Sequence, residues 1–313
     1  MPLDPLVKAF LDRAAQIPRP KVWDIAPAMA RQSFAGMMQL TGPKDVAVGK
    51  MENFTIPGPG GGIRARSYAP IAAVGPLPTL IYFHGGGFIA GSLESHDGLC
   101  RLFTAEGGFK VIAVDYRLAP EHRYPAAVDD AWAATQWIEQ NAPELGVDAG
   151  RIAVGGDSAG GMLAAIVTQL AREKGGLKIA CQLLLFPNTQ IGRETSSLKE
   201  FAVGYFLERR AIEYFNSLYL TPDADADSPK VSPLRAKDFA HLPPAYVMLA
   251  GYDPLHDEGL AYAEKLKGAG VKVTVADYAE MVHGFIYLQT VLPQAHEAVA
   301  KAAKAVKQVL DAT

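Results

Sequence analysis

The pattern of apolar and polar positions changes character twice along the chain. Over the first forty or so residues, Val7, Phe10, Leu11, Phe34, Met37, Met38 and Leu40 recur at helical spacing. That stretch ends at Thr41-Gly42-Pro43, a helix stop signal. Beyond it, short β-branched or apolar runs alternate with helical stretches. Strands are predicted over 62–68, 79–83, 111–115, 151–155, 179–186, 245–250 and 272–277, and helices over 126–140, 159–173, 257–267 and 294–310. Runs apolar on both sides, such as Val111-Ile112-Ala113-Val114, suit strands covered on both faces. The alternation predicts an α/β fold with a mostly parallel central sheet flanked by helices.

Between 189 and 227 the rhythm breaks. The segment holds Tyr205-Phe206-Leu207 and a helix-like stretch over 209–220 but no clear strand, and it reads as an insertion. With the N-terminal helices it is expected to form a helical cap over the carboxyl ends of the strands, where open α/β sheets place their ligands.

Composition narrows the function classes. The chain has 313 residues, enough for two domains, but no repeat, low-complexity block or flexible linker divides it. Hydrophobic residues make up 49% and charged residues 20%, so the chain can bury a core and is not disordered. Thirty Lys and Arg against 33 Asp and Glu leave a net charge of -3, without the basic excess of a nucleic-acid binder. Cys100 and Cys181 lie far apart in apolar context, which suits core packing better than a disulfide or a zinc site. The N-terminus lacks a basic and then apolar leader, and no run of ~18 apolar residues occurs. A cytoplasmic protein without a membrane partner is expected.

Candidate chemistry begins at Gly156-Asp157-Ser158-Ala159-Gly160, a G-x-S-x-G between a predicted strand and a predicted helix. A serine on such a sharp turn needs neighbours without bulk where chain crosses chain. His84-Gly85-Gly86-Gly87-Phe88 follows the 79–83 strand. Consecutive glycines leave backbone N–H groups uncovered and able to converge on one oxygen, an oxyanion hole that the N–H of Ala159 would complete. No Gly-Lys-Ser/Thr follows, so a phosphate loop is disfavoured. His84 is assigned a structural role, holding that loop by hydrogen bonds.

A nucleophilic serine needs a base and the base an orienting acid, in the chain order acid then histidine. Asp253 stands just past the 245–250 run, and His283 lies in the loop after the next helix and strand. Asp257 is the rival acid, but its place before Glu258 suits a helix cap. His122, His241, His256 and His296 lie in polar or helical settings, and His96 in the loop after the glycines reads as structural. Asp157 is expected to hydrogen-bond within the elbow.

Five ordered motifs then carry a resemblance: His84-Gly85-Gly86-Gly87-Phe88, the segment Asp115-Tyr116-Arg117-Leu118-Ala119-Pro120-Glu121-His122, Gly156-Asp157-Ser158-Ala159-Gly160-Gly161, Asp253-Pro254-Leu255 and His283-Gly284-Phe285. Together the chain resembles the bacterial hormone-sensitive-lipase-like (family IV) carboxylesterases over nearly its whole length. The resemblance implies an α/β-hydrolase fold, with residues 46–188 and 228–313 as the catalytic domain and 1–45 with 189–227 as the helical cap. It implies hydrolysis of short- to medium-chain acyl esters without a cofactor or metal. Ser158 would be the nucleophile, Asp253 and His283 its partners, and the N–H groups of Gly86, Gly87 and Ala159 the oxyanion hole. The 115–122 segment would fix loops, and a homodimer would be in keeping with family habit. Phe34, Met38, Phe88, Tyr205 and Leu207 are the candidates for substrate contact, with Met37 and Phe206 beside them. A non-hydrolysing receptor on the same fold, and an amidase or acyltransferase using the same three side chains, stay open at the level of motif.

Overall fold

Alternate residues of the central strands enter two different cores, as the pleat of a strand covered on both faces requires. The computed structural model describes residues 1–18 and 20–313. Its strands are β1 (Lys50–Gly58), β2 (Gly61–Ala69), β3 (Leu77–Phe83), β4 (Lys110–Asp115), β5 (Val147–Asp157), β6 (Cys181–Leu185), β7 (Ala245–Tyr252) and β8 (Val273–Val282). Its helices are α1 (Pro5–Gln16), α2 (Pro27–Thr41), α3 (Asp97–Gly107), α4 (Ala126–Gln140), α5 (Ala142–Leu145), α6 (Ala159–Lys174), α7 (Ser196–Glu200), α8 (Arg209–Tyr219), α9 (His256–Gly268) and α10 (Pro293–Asp311). On β3, Ile81 and Phe83 join the core that holds α4, α6 and α9, while Leu80 and Tyr82 join the core that holds α3 and α10. Ile112 and Val114 against Val111 and Ala113 repeat the division on β4.

The eight strands form one sheet in the order β1-β2-β4-β3-β5-β6-β7-β8. β1 and β2 pair antiparallel, as do β2 and β4, and the remaining pairs are parallel. The chain leaves β3 towards β4 on one side and later inserts β5 on the other. The loops after β3 and β5 therefore diverge, opening a crevice at the carboxyl ends of the strands.

Several elements depart from the sequence pattern. β1 was not predicted, since most of its side chains are exposed and Ile56 is its one buried residue; an edge strand carries little hydrophobic signal. α3 follows the glycine-rich loop and ends at Gly108, in the left-handed conformation at φ 64°. Leu40 lies on the outer side of α2 and is 76% exposed, although its apolar character placed it in the packed stripe. Both cysteines are buried thiols.

Candidate active site

Ser158 is the single residue between β5 and α6, at φ 53° and ψ -115°, a conformation that side chains with a Cβ avoid. Its neighbours explain how the turn is tolerated. A Cβ on Gly156 or on Gly160 would overlap the carbonyl of Phe83, so the elbow can press against β3 only with glycine at both places. The Ser158 N–H donates to the Leu185 carbonyl at 2.8 Å, and its own carbonyl accepts from Met162 at 3.1 Å and Asn188 at 3.2 Å.

β8 and the turn after it bring His283 to the same edge. Gly284, at φ 69°, redirects the chain, and the imidazole Nε2 lies 3.1 Å from the Ser158 Oγ. Nδ1 lies 2.7 Å from Oδ2 of Asp253, the residue after β7, whose Oδ1 accepts from the Leu255 N–H at 2.8 Å. A carboxylate can only accept, so Nδ1 carries the proton and Nε2 turns its lone pair to the hydroxyl. Both Asp253 and His283 are buried. The sheet thus brings together three side chains that stand 125 and 30 residues apart along the chain.

Opposite them runs the glycine loop. Gly86 (φ 118°), Gly87 (φ 62°) and Phe88 (φ 64°) form a turn in which the Gly86 carbonyl accepts from Ile89 at 3.2 Å and Ala90 at 2.9 Å. A Cβ on Gly86 would meet the Ala90 carbonyl, and one on Gly87 the ring of Phe215. Among the described residues, the N–H groups of Gly86, Gly87 and Ala159 have no protein acceptor. The 115–122 segment grips this loop: the Tyr116 hydroxyl donates to the His84 carbonyl at 2.7 Å and the Ala119 N–H to the Phe88 carbonyl at 2.9 Å.

The other titratable groups have separate tasks. His84 donates Nδ1–H to the Gly85 carbonyl at 2.8 Å and stacks on Tyr116. Burial drives its pKa down to about 3, helped by His96, so it is neutral. Asp157 is buried; its oxygens accept from the hydroxyls of Tyr82, at 2.5 Å, and Tyr287, and lie 3.5 Å from His96 Nε2. Burial alone would raise its pKa, but His96 and these hydrogen bonds outweigh that and hold it at about 2. Asp257 does not cap its helix: Leu255 occupies the cap position, and the Asp257 carboxylate accepts instead from the Ser197 N–H at 2.9 Å, tying α9 to α7. Glu258, which no sequence motif singled out, is buried and accepts from Thr189 N–H at 2.6 Å and Gln190 N–H at 3.1 Å.

Above the serine lies a cavity of about 230 Å³. Ser158, Ala159, Gly86, Gly87 and His283 contribute to its lining, and Phe34 and Met37 come from α2. Phe88, Phe206 and Leu207 line it too, with Ile212, Phe215 and Asn216 from α8. Met38 and Tyr205 do not. Successive helix residues point about 100° apart, so α2 turns Phe34 and Met37 to the cavity and buries Met38 in the core of α3 and α10. Tyr205 packs instead on Phe201 and Tyr252, with ring centroids 5.3 and 5.2 Å away. Phe215, placed directly over Gly87, was missed, because nothing in the amphipathic pattern of α8 distinguishes a wall residue from a packing one. The N-terminal segment and the insertion meet through the Lys21–Glu208 ion pair, 2.8 Å, and the Phe10–Phe206 contact.

The chain is also similar to known proteins. A family model described as the α/β-hydrolase fold matches residues 80–287. The chain is 44% identical over 265 residues to the esterase LipI of Mycobacterium tuberculosis, covering 83% of this chain and 82% of that one. It is 42% identical over 254 residues to the carboxylesterase NlhH of the same species, covering 80% and 79%. Among solved structures, an ester hydrolase from the metagenome of Lake Arreo, complexed with a bipyridine phosphonate derivative, superposes with a TM-score of 0.95 at 42% identity, covering 98% of both chains.

Proposed function

The chain belongs to the α/β-hydrolase fold family, among its hormone-sensitive-lipase-like carboxylesterases, and on that premise we propose that Ser158, His283 and Asp253 are its catalytic triad. The protein is a carboxylesterase. The observation that carries the assignment of residues is the unbroken chain of contacts from Asp253 through His283 to the Ser158 hydroxyl, at 2.7 and 3.1 Å.

In this reading His283 Nε2 takes the hydroxyl proton as Oγ attacks the ester carbonyl, and Asp253 keeps the imidazole in the tautomer that can accept it. Negative charge gathers on the former carbonyl oxygen. The N–H groups of Gly86, Gly87 and Ala159 receive it, each worth about 3 kcal/mol of barrier, a reading supported by their having no protein acceptor among the described residues. His283 then returns the proton to the departing alcohol, and water repeats the sequence on the acyl-enzyme.

Residues 1–45 and 189–227 serve as a cap that shapes the substrate site, a reading supported by Phe34, Met37, Phe206 and Phe215 in the cavity wall. Among the described residues the cavity lining holds no Asp, Glu, Lys or Arg, which favours neutral esters as substrates. At about 230 Å³ it is smaller than the ~300–1,000 Å³ typical of drug-sized ligand pockets, which favours short acyl chains over long ones.

Hydrolysis of p-nitrophenyl butyrate by the wild type and by Ser158→Ala tests the assignment. The variant is expected to lose at least about 10⁴ in kcat. Retained turnover in Ser158→Ala would remove the serine from the mechanism, and ester binding without turnover in the wild type would favour a receptor.

A further inference from the structure

The oxyanion loop is held by Tyr116 and Ala119 from the segment after β4, but a further set of bonds reaches it from the N-terminal segment. On α2, the Arg31 guanidinium donates Nε–H to the Ile89 carbonyl at 2.8 Å and Nη2–H to the Ala119 carbonyl at 2.9 Å. Its outer edge pairs with both oxygens of Glu121, Nη1–Oε1 at 3.0 Å and Nη2–Oε2 at 2.5 Å. Ile89 lies in the turn that begins at Gly86 and donates its own N–H to the Gly86 carbonyl. Ala119 is the residue whose N–H holds the Phe88 carbonyl. Arg31 therefore grips both the turn that presents the hole and the strut that supports the turn.

We propose that Arg31 is the positioning residue of the oxyanion hole, fixing the Gly86 and Gly87 N–H groups through the carbonyls of Ile89 and Ala119. The assignment rests on the catalytic reading given above. Only an arginine has a planar fork of donors that can span two backbone carbonyls and a carboxylate at once. The side chain is about two-thirds buried on the cap side of the loop, whereas Glu121 is 55% exposed. The two carbonyl bonds thus do the positioning, and the carboxylate keeps the fork in plane. A loop released at Ile89 still leaves the walls that Phe34, Met37, Phe206 and Phe215 supply, so ester still binds. It meets the developing oxyanion with N–H groups that are no longer preorganised, so the loss belongs to the transition state.

The test compares Arg31→Met, Arg31→Lys and Glu121→Gln with the wild type in kcat and KM for p-nitrophenyl butyrate. It also measures inhibition by the matching trifluoromethyl ketone, whose serine adduct places an oxyanion in the hole. Arg31→Met is expected to lose about 10- to 100-fold in kcat with KM within about threefold, and to weaken the ketone by a similar factor. Arg31→Lys, which can reach one carbonyl, should fall between the two, and it carries the test if the methionine variant does not fold. Glu121→Gln leaves the carbonyl bonds in place and should lose at least about fivefold less than Arg31→Met. Wild-type kcat in either arginine variant, equal losses in Arg31→Met and Glu121→Gln, or a loss confined to KM would overturn the proposal. Ser158→Ala run alongside separates the two readings: if it stays active the triad is wrong, and if it is inactive while Arg31→Met is not, only the role of Arg31 falls.

Discussion

Glu258 offers a sharp test because its titration opposes that of His84. Burial pushes the Glu258 carboxyl from 4.5 up to about 8, against the pull of the Thr189 and Gln190 N–H groups, and the nearby Asp253 and Asp257 add to the rise. A group whose pKa is higher in the folded state stabilises the fold fully below the unfolded value. That stability is lost as pH rises through the folded one. The window is therefore pH 4.5 to 8, about 3.5 pH units at about 1.4 kcal/mol each, or on the order of 4–5 kcal/mol in all. His84, driven down to about 3, acts oppositely: between pH 3 and 6.5 the unfolded chain binds a proton that the folded one refuses, so stability rises with pH. The two slopes nearly cancel from pH 4.5 to 6.5, and of the two only the Glu258 loss remains above it. Glu258→Gln keeps the shape of the neutral acid and removes its titration. Urea unfolding at half-unit steps from pH 4.5 to 8.5 should give a wild-type stability that is flat and then falls. In the variant it should rise by about 1.4 kcal/mol per pH unit up to 6.5 and then fall by no more than the ~1 kcal/mol that His256 contributes. Parallel curves for the two proteins would refute the reasoning and mean that the N–H bonds of the 189–190 loop hold an ordinary carboxylate.

Two other predictions follow from the cavity and from the acid loop. Phe215→Ala vacates the space above Gly87, so hexanoate should gain about tenfold on butyrate in kcat/KM, since its two further CH₂ groups, once buried, are worth about 1.6 kcal/mol; an unchanged ratio would take Phe215 out of the acyl site. His256 is raised to about 8 by Asp277, against burial, with Asp257 helping. Its contribution is complete below pH 6.5 and lost as pH climbs through 8. With Asp277 43% exposed, His256→Gln should cost only about 1 kcal/mol at pH 6 and nothing at pH 9, and a loss independent of pH would exclude the ion pairs as its cause.

The fold was legible where burial on both faces forced whole runs of residues to be apolar. Val111 to Val114 and Ala245 to Ala250 read as strands because each side chain has a core to enter. β1 escapes because it is an edge strand with one neighbour in the sheet and only Ile56 and Phe54 turned to the core, and the exposed Leu40 misleads because a lone surface leucine costs little. The site divides along a similar line. Its glycines could be read from the chain, since each excludes a Cβ for a local reason: Gly156 and Gly160 against Phe83, Gly86 against Ala90.

What stayed hidden are contacts whose partners meet only after folding and whose residue types are common elsewhere. An arginine on an amphipathic helix is most often a solvated residue, and nothing within α2 says that Arg31 will find a carbonyl 58 residues away. Glu258 follows two acidic or basic neighbours at a helix start, where exposure is the rule, yet the 189–190 loop closes over it. Met38 and Tyr205 failed as pocket residues for the complementary reason. Each lies next to a residue that does line the cavity, and an apolar side chain is equally at home in a wall and in a core. Motifs mark the places where the backbone is constrained. The side chains that hold that backbone in register come from segments free to be ordinary, so their roles become visible only when distances replace sequence separation.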